Sequence, residues 1–485
     1  MPKTVFLAIT VTMLAAAIPG TAAAAAPGAL HWGSCPATVT GHGLECASLA
    51  VPVDYRNPHG RKIKIGISRL PSKKPAQRRG VLLTNPGGPD PGMNYPARLA
   101  EQGLPQSVRD SYDVIGFDPR GFGNSAPVTC DLTAKQAATG IVPPYARDTA
   151  DVLEQAAASK RIAEQCAKAR TAWLRPYINT ANTARDMDRI REALGEPSLS
   201  FLGASWGTHL GAVYTTLFPR HSDRIVLDSN LSPGGWTYPY ERLYGQGFQD
   251  RFPDFAKFAS ADPQYGLGDT PAEVTAKYFT LAARLDKKPV DGIDGPGFRY
   301  VTWGALFGDQ NLRPLAEIWH RLDTGRPLPT GPPATGPTPD PDNETSGQLA
   351  MTCGDSRWPT SISSYVRHVA IDRLRYPMFG AAGANIQPCA FWPNPAEPPV
   401  HIGDRGPSNV LMVQNLRDPV TPLAGARQLR RAFGHRARMI TADQGGHGVY
   451  LLNHNNCANN TVTTFLTTGR RPAHDHTCTA EKPAG

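Results

Sequence analysis

A serine within a glycine-rich turn is the first candidate for chemistry. Residues 203–207 read GASWG and lie between a predicted strand over 198–202 and a predicted helix over 206–218. A G-x-S-x-G turn at such a junction exposes the serine hydroxyl at the end of a sheet, as a nucleophile elbow requires. The motif alone is weak, because an ordinary serine in a glycine-rich turn gives the same pattern. Ser205 is therefore a candidate nucleophile that needs partners.

A base and a carboxylate follow in a suitable order. A serine hydroxyl attacks a carbonyl only when a base removes its proton and an acid orients that base. Asp418 follows a predicted strand over 410–413, and His447 follows another over 437–441. The order Ser, Asp, His on loops after strands is that of a large class of hydrolytic enzymes. We predict a triad of Ser205, Asp418 and His447, although a histidine taken singly is more often a surface residue.

Attack on a carbonyl also requires donors for the oxyanion that forms. Residues 85–89 read NPGGP and follow a predicted strand over 80–84. The two prolines have no N–H, so this loop's donor must be Gly87 or Gly88. The second predicted donor is the backbone N–H of Trp206, the residue after the nucleophile. The alternative interpretation of the loop is a tight turn without function.

Hydrophobic periodicity predicts the elements that carry these loops. Strands are predicted over 62–70, 80–84, 112–117, 198–202, 224–227, 410–413 and 437–441, and helices over 147–170, 183–194, 206–218 and 423–433. The strand over 62–70 alternates like an edge strand, and Asn182 and Gly195 are the predicted ends of the second helix. Strands that alternate with helices imply an α/β fold, a mostly parallel sheet with helices on both faces.

The pattern changes between the two groups of strands. Aromatic-rich helical segments begin at residue 232, and residues 325–341 are largely Pro, Gly and Thr, which predicts a surface linker. The strand pattern returns at residue 410. We therefore predict a core over 27–231, a largely helical cap inserted over 232–386, and a second part of the core over 387–485.

The N-terminus predicts export. Lys3 precedes an uncharged run over 5–18 and an alanine stretch over 22–26. This is the pattern of a signal peptide over 1–26, cleaved near residues 24–26. The run is shorter than the ~20 residues that span a bilayer, and no later segment is apolar enough. We expect a secreted protein without stable membrane association.

The chain has eight cysteines, and in an oxidising compartment they can form disulfides. Many pairings are possible, and proximity in the chain favours Cys35–Cys46, Cys130–Cys166, Cys353–Cys389 and Cys457–Cys478. No Cys-x-x-Cys or Cys/His cluster occurs, so no metal is expected, and the predicted triad chemistry needs no cofactor. Residues 474–476 (HDH) are predicted to be part of a disordered, solvated tail.

The net charge of +9 raises the question of a nucleic-acid partner. The basic residues are spread along the chain, and their densest groups, at 73–79 and 430–431, are not interleaved with aromatics. We expect a solvated basic surface, no nucleic-acid partner and a monomer.

Four ordered motifs now allow a resemblance to be stated. The segments concerned are 85–89 (NPGGP), 116–121 (GFDPRG), 203–207 (GASWG) and 417–422 (RDPVTP). With them, the chain resembles secreted bacterial α/β-hydrolases of the prolyl/tripeptidyl aminopeptidase family. Residues 46–57 also match, and residues 387–478 resemble the C-terminal domain of tripeptidyl aminopeptidases. The resemblance is weakest over 232–341.

The resemblance implies a serine exopeptidase that hydrolyses short peptides, or a proline-terminated unit, from a free N-terminus through an acyl-enzyme. Its cap would bind the substrate's ammonium group through acidic side chains. Glu241, Asp250 and Asp355 are candidates for that role, and each has an ordinary structural or surface carboxylate as its alternative. Asp118 is expected to be structural, bonding within its own turn.

Asp90 departs from the family, which usually continues the oxyanion loop with glycine and serine. A carboxylate there would repel the developing oxyanion, yet it would also attract a substrate ammonium group. Two other functions stay open. The same triad could act on esters or lactones as the small acyl substrate, or the chain could be a non-catalytic binding protein on a hydrolase scaffold.

Overall fold

The computed structural model describes residues 30–328, 340–452 and 454–481. The predicted signal peptide and most of the predicted linker lie outside these residues. No helix within the described ranges is long and apolar enough to cross a membrane.

One sheet of nine strands runs through the described part of the chain. The strands are β1 (Glu45–Pro52), β2 (Lys62–Leu70), β3 (Gly80–Asn85), β4 (Tyr112–Phe117), β5 (Leu199–Ala204), β6 (Ser222–Asp228), β7 (Val410–Arg417), β8 (Ala437–Gly445) and β9 (His476–Cys478). Their order across the sheet is β1-β2-β4-β3-β5-β6-β7-β8-β9. Strand β2 pairs antiparallel with both β1 and β4, and every other neighbouring pair is parallel.

Sixteen α-helices connect or cover these strands in the described residues. They are α1 (Tyr95–Glu101), α2 (Gln106–Ser111), α3 (Ala134–Ala138), α4 (Thr149–Lys168), α5 (Thr180–Ala193), α6 (Trp206–Leu217), α7 (Tyr238–Glu241), α8 (Tyr244–Ser260), α9 (Pro271–Leu285), α10 (Gly295–Ala305), α11 (Leu312–Thr324), α12 (Pro341–Asp355), α13 (Ile362–Arg375), α14 (Gly380–Gly383), α15 (Leu423–Phe433) and α16 (Asn456–Thr468).

Both faces of the sheet are apolar and covered. In β3, Leu83 packs with Phe201 in one cluster, to which α5, α6 and α15 contribute. The neighbouring Leu82 packs with Leu202 in another cluster, to which α1, α2 and α16 contribute. Successive residues of a strand point to opposite faces, so the two clusters lie on the two sides of the sheet. This is the predicted α/β-hydrolase fold, and the fold class is confirmed.

Two predictions about local structure are wrong. Residues 62–70 were expected at an edge, but β2 lies between β1 and β4, because the segment Glu45–Pro52 forms a further strand outside it. Helix α5 begins at Thr180 rather than at residue 183. Its N-cap is Asn179, whose side chain accepts a hydrogen bond from the backbone N–H of Asn182 at 2.8 Å.

The expected solvated tail at 474–476 is also corrected. His476 begins β9, which pairs in parallel with β8. Asp475 accepts a hydrogen bond from the backbone N–H of Met439 at 2.9 Å and pairs with Arg430. The disulfide Cys457–Cys478 ties this strand to α16. Local composition could not reveal an edge strand that a covalent link and one aspartate hold in place.

The helical region, defined here as residues 229–409, separates β6 from β7. Its described residues contain helices α7 to α14 and no strand. They enclose an aromatic cluster that includes Tyr244, Phe248, Tyr278 and Trp319. Helix α4 belongs to the same cluster through Val152 and Ala156, although it precedes the region by many residues. The helical layer is therefore assembled from two separate parts of the chain.

Four disulfides join cysteines that are near one another in the chain. The pairs are Cys35–Cys46, Cys130–Cys166, Cys353–Cys389 and Cys457–Cys478. These are the pairs that proximity favoured, and no described cysteine is free. Such a set is typical of proteins that fold in an oxidising compartment.

Candidate active site

The turn between β5 and α6 presents Ser205. Its backbone is held at φ 55° and ψ −123°, a region that side-chain-bearing residues rarely adopt. The flanking glycines permit the close approach of strand and helix, since a Cβ on Gly203 would lie 2.4 Å from the carbonyl oxygen of Gly207. The backbone N–H of Ser205 donates to the carbonyl of Asp228 at 2.9 Å. The GASWG segment thus has the geometry of a nucleophile elbow.

The loop after β3 lies directly beside the elbow. A Cβ on Gly87, which has φ +98°, would lie 2.7 Å from the Cβ of Ser205, so only glycine fits there. The N–H of Gly87 already donates to Asn85 Oδ1 at 3.0 Å. The N–H of Gly88 has no acceptor among the described residues. The N–H of Trp206 is the first of α6 and so has no intrahelical acceptor. Of the two glycines predicted as donor, Gly88 is the one left available.

His447 and Asp418 form a close pair at the carboxyl ends of β8 and β7. His447 Nδ1 lies 3.0 Å from Asp418 Oδ2 and 3.2 Å from Oδ1. The aspartate side chain is fully buried, whereas the histidine side chain retains 20% of its exposure. This arrangement directs Nδ1 to the carboxylate and leaves Nε2 to exchange protons.

The charges around His447 favour its protonated form. Burial by itself lowers the pKa of the imidazole, but the charge and hydrogen bond of Asp418 outweigh it, with a further contribution from Asp228. The result is a His447 pKa above its usual value. A base of this kind binds a proton readily and releases it as the pH rises.

Thr421 was not predicted from the sequence as a site residue, yet its hydroxyl and its backbone N–H both donate hydrogen bonds to the carboxylate of Asp418. Its hydroxyl donates to Asp418 Oδ2 at 2.7 Å and lies 3.4 Å from His447 Nδ1. The backbone N–H groups of Val420 and Thr421 donate to Asp418 Oδ1 at 2.9 and 2.8 Å. An Asp-x-x-Thr spacing after a strand is the signal that could have indicated this turn.

The helical region contacts both loops that carry Asp418 and His447. The backbone N–H of His447 donates to the carbonyl of Phe307 at 2.7 Å, and the two rings lie 5.8 Å apart. Trp303 Nε1 donates to the carbonyl of Pro419 at 3.1 Å. The hydroxyl of Tyr240 donates to the carbonyl of Val420 at 3.1 Å. The position of the acid and base loops thus depends on the helices above them as well as on the sheet.

Asp90 lies against the oxyanion loop. Its carboxyl group occupies the space where a side chain of Gly88 would stand, with Cγ 2.2 Å from an ideal Cβ. Oδ1 accepts a hydrogen bond from Gln348 Nε2 of α12 at 2.9 Å. Burial raises the pKa of Asp90 to about 7, and the negative charge of Glu344, which lies one turn before Gln348 on α12, contributes to this rise. No cation forms an ion pair with Asp90 or Glu344 among the described residues.

The other acidic candidates have different surroundings. Glu241 is fully buried and accepts hydrogen bonds from Trp236 Nε1 at 2.7 Å and Gln387 Nε2 at 2.5 Å. Burial raises the pKa of Glu241 to about 8. Asp355 accepts from the backbone N–H and hydroxyl of Thr180, both at 2.6 Å, at the N-terminus of α5. These contacts are structural, so we do not expect either acid to bind substrate.

Asp250 and Asp118 differ in their exposure to solvent. Asp250 is exposed on α8. Asp118 is buried, and its oxygens accept hydrogen bonds from the backbone N–H groups of Gly92, Met93 and Asn124 at 2.8 to 3.0 Å. It therefore fastens the continuation of the oxyanion loop to the turn after β4. This is a structural role, but the bonds to Gly92 and Met93 reach beyond the turn of Asp118, to which the prediction had confined them.

One group in the described residues has the proximity that a metal site needs. It comprises Cys457, His476 and Cys478. The two cysteines form a disulfide, so they offer no thiolate ligand. The group is far better explained as a link that holds β9.

Comparison with known proteins gives the family. The Abhydrolase_4 family model, described as TAP-like protein, matches residues 376–478. A tripeptidyl aminopeptidase of Streptomyces lividans is 35% identical over 94% of this chain and 88% of that protein. Carboxylesterase B of Mycobacterium tuberculosis is 30% identical over 89% of this chain and 86% of that protein. Serine protease Hip1 of the same organism is 27% identical over 90% and 87%. This chain belongs to the tripeptidyl aminopeptidase family of α/β-hydrolases and is a serine hydrolase of the peptidase class.

Proposed function

We propose that the protein removes short peptides, of tripeptide length, from a free N-terminus by means of Ser205, His447 and Asp418. The observation that carries the proposal is the pair of contacts, 3.0 and 3.2 Å, between His447 Nδ1 and the buried carboxylate of Asp418, on loops at the same sheet edge as the strained Ser205. The name of the Streptomyces relative supports the tripeptide length.

The proposed chemistry proceeds in two halves. His447 Nε2 takes the hydroxyl proton of Ser205 as its oxygen attacks the scissile carbonyl, and Asp418 holds the imidazole in the required tautomer. The N–H groups of Gly88 and Trp206 donate to the oxyanion. His447 then gives its proton to the leaving amine, and an acyl-enzyme remains. Water, deprotonated by His447, releases the peptide and restores Ser205. No step in this sequence requires a cofactor.

Recognition of the free N-terminus is assigned to Asp90 in this proposal. Asp90 lies against the oxyanion loop, and neither Asp90 nor Glu344 forms an ion pair among the described residues, although the positive charge of Arg98 acts on Asp90 without a direct contact. A substrate ammonium group would supply a directly bonded cation. The distance from Asp90 to Ser205 would then limit the length of the peptide released.

A second candidate function is ester hydrolysis. The name Carboxylesterase B, borne by a relative that matches over most of both chains, favours it. The same triad and oxyanion donors serve ester and amide substrates alike, so the site alone does not separate them.

Export is part of the proposal. Two observations support folding outside the cytoplasm. The protein has four disulfides, each between cysteines that are close in the chain, and a signal peptide is predicted over 1–26.

Steady-state kinetics on matched substrates test the proposed function. We expect a tripeptide anilide ending in alanine or proline to be cleaved about 10- to 100-fold better with a free amino group than with an acetylated one, because blocking removes a charge-assisted hydrogen bond. Mass spectrometry of a digested peptide library should give tripeptides. Equal cleavage of the acetylated peptide would contradict an exopeptidase. Turnover of short acyl esters without any peptide product would favour the esterase.

A substitution at Asp90 tests its assigned role. Ionisation of Asp90 increases as the pH rises through about 7, so KM for the free-amine peptide should fall between pH 6 and 8. In Asp90→Asn this pH dependence should disappear, and KM at pH 8 should rise about 10-fold or more. For the acetylated peptide, kcat/KM should stay level or increase, because a negative charge near the oxyanion is gone.

The matched control is Glu101→Gln, which removes an exposed carboxylate at the end of α1. It should leave both substrates unaffected. If Asp90→Asn keeps the parent protein's preference for the free-amine peptide over the acetylated one at every pH, Asp90 has no part in recognising the N-terminus.

A further inference from the structure

A second buried carboxylate joins two of the catalytic loops. Asp228 is the last residue of β6 and is 3% exposed. Its backbone carbonyl accepts the N–H of Ser205 at 2.9 Å. Its side chain accepts the backbone N–H groups of Val449, at 2.9 and 3.1 Å, and of Tyr450, at 2.8 Å. One residue thus touches the elbow of the nucleophile and the loop that follows the base.

The next residue extends this link. Ser229 has φ +60°, and its hydroxyl accepts the N–H of Gly448 at 2.8 Å while lying 3.2 Å from Asp228 Oδ1. The three residues after His447 are therefore all bonded to the end of β6. Ser229 thus has a backbone conformation that is uncommon for a non-glycine residue at the point where it contacts this loop.

We propose that Asp228 is a positioning residue of the triad, which sets the separation of Ser205 and His447 through its carbonyl and its carboxylate. This rests on the proposed function, because it assigns Asp228 a task only if Ser205 and His447 act together. Asp418 contacts the histidine without a bond to the backbone of Ser205, whereas Asp228 bonds both to Ser205 and to the loop that follows His447.

The carboxylate of Asp228 also acts by its charge. Burial raises its pKa to about 6, although the N–H groups of Tyr450 and Val449 and the charge of His447 oppose this. In return, the negative charge of Asp228 raises the pKa of His447. The other titratable groups that face the pair are Asp418, beside the imidazole, and Tyr95, whose phenol stays neutral because burial raises its pKa.

Asp228→Asn is the test variant. An amide places NH₂ where an acceptor is needed, so the loop after His447 shifts, and we expect kcat to fall about 10- to 100-fold with little change in KM. Loss of the charge should lower the pKa of His447. The acid limb of the kcat/KM profile should therefore move to lower pH, a displacement that a general loss of stability would not produce.

NMR titration of ¹³C-labelled histidine measures the same pKa without activity. His447→Gln identifies the signal. If Asp228→Asn does not fold, Ser229→Ala carries the test, because Ser229 holds Gly448 of the same loop. Ser229→Ala, which keeps the charge, should lower kcat without moving the pKa. The control Asp372→Asn removes a buried aspartate that pairs with Arg242 in the helical region, and it should change neither quantity.

The outcomes separate the two proposals. A folded Asp228→Asn with unchanged kcat and unchanged His447 pKa overturns the positioning role, as does a folded Ser229→Ala with unchanged kcat. Retention of hydrolysis by both Ser205→Ala and His447→Gln overturns the proposed function instead, whatever the NMR titration gives.

Discussion

Replacing Ser205 by alanine should lower kcat for a tripeptide anilide by about 10⁴- to 10⁶-fold, because no acyl-enzyme can form. The residual rate should come from the oxyanion donors and substrate binding alone. Alanine has the same backbone requirements at φ 55°, so the elbow should persist. Circular dichroism and thermal melting should match the parent protein, and KM should change little.

A fluorophosphonate probe gives an independent measurement. It should label the parent protein once, on Ser205, and should not label Ser205→Ala. The control is Ser363→Ala, which removes an exposed hydroxyl on α13 and should alter neither labelling nor hydrolysis. Labelling of another residue, or full activity in Ser205→Ala, would show that the elbow is not the reactive centre. Absence of labelling in the parent protein would favour a binding protein.

Asp418→Asn should lower kcat by about 10⁴-fold. Asp418 accepts hydrogen bonds from two backbone N–H groups, from Thr421 and from His447. An amide has one acceptor oxygen and two donor hydrogens, so it cannot satisfy all four. If its oxygen keeps the turn, its NH₂ faces Nδ1 and imposes the wrong imidazole tautomer, in which Nε2 carries the proton and cannot act as a base.

Rapid-mixing kinetics should locate this defect in acylation. The burst of product from an activated ester reports the accumulation of acyl-enzyme. In Asp418→Asn the acyl-enzyme should form slowly. The matched substitution is Asp404→Asn, which changes an aspartate outside the site and should preserve the burst. A kcat within tenfold of the parent value would mean that another carboxylate orients His447.

The loops of the proposed triad were predictable because they carry local signals. A G-x-S-x-G turn after an apolar strand, and an aspartate and a histidine after two later strands, mark positions at one edge of a parallel sheet. Strand β4 and helix α15 have the predicted bounds. Strand β4 was predicted as a short buried run and α15 as a helix, and both signals are local to the segment.

Other features depend on contacts between distant residues. The bond from Val449 to Asp228 joins positions 221 residues apart, and the bond from Gln348 to Asp90 joins positions 258 residues apart. No local pattern reports such pairs. Burial decides their chemistry as well, because the pKa of Asp90 depends on the helix packed above it. Strand β9 was missed for the same reason, since Cys457 and Arg430 hold it from elsewhere in the chain.

The hydrogen bonds that join Phe307, Trp303 and Tyr240 to the loops of His447 and Asp418 have a consequence for the substrates that the enzyme can accept. Under the proposed function, a layer that supports His447 and Asp418 has to stay in place while the reaction proceeds, so a substrate must reach Ser205 without displacing these helices. A free chain end meets that requirement more easily than a folded protein does. Under the proposed function, the enzyme then depends on endopeptidases to cut proteins into fragments, and it trims what they leave.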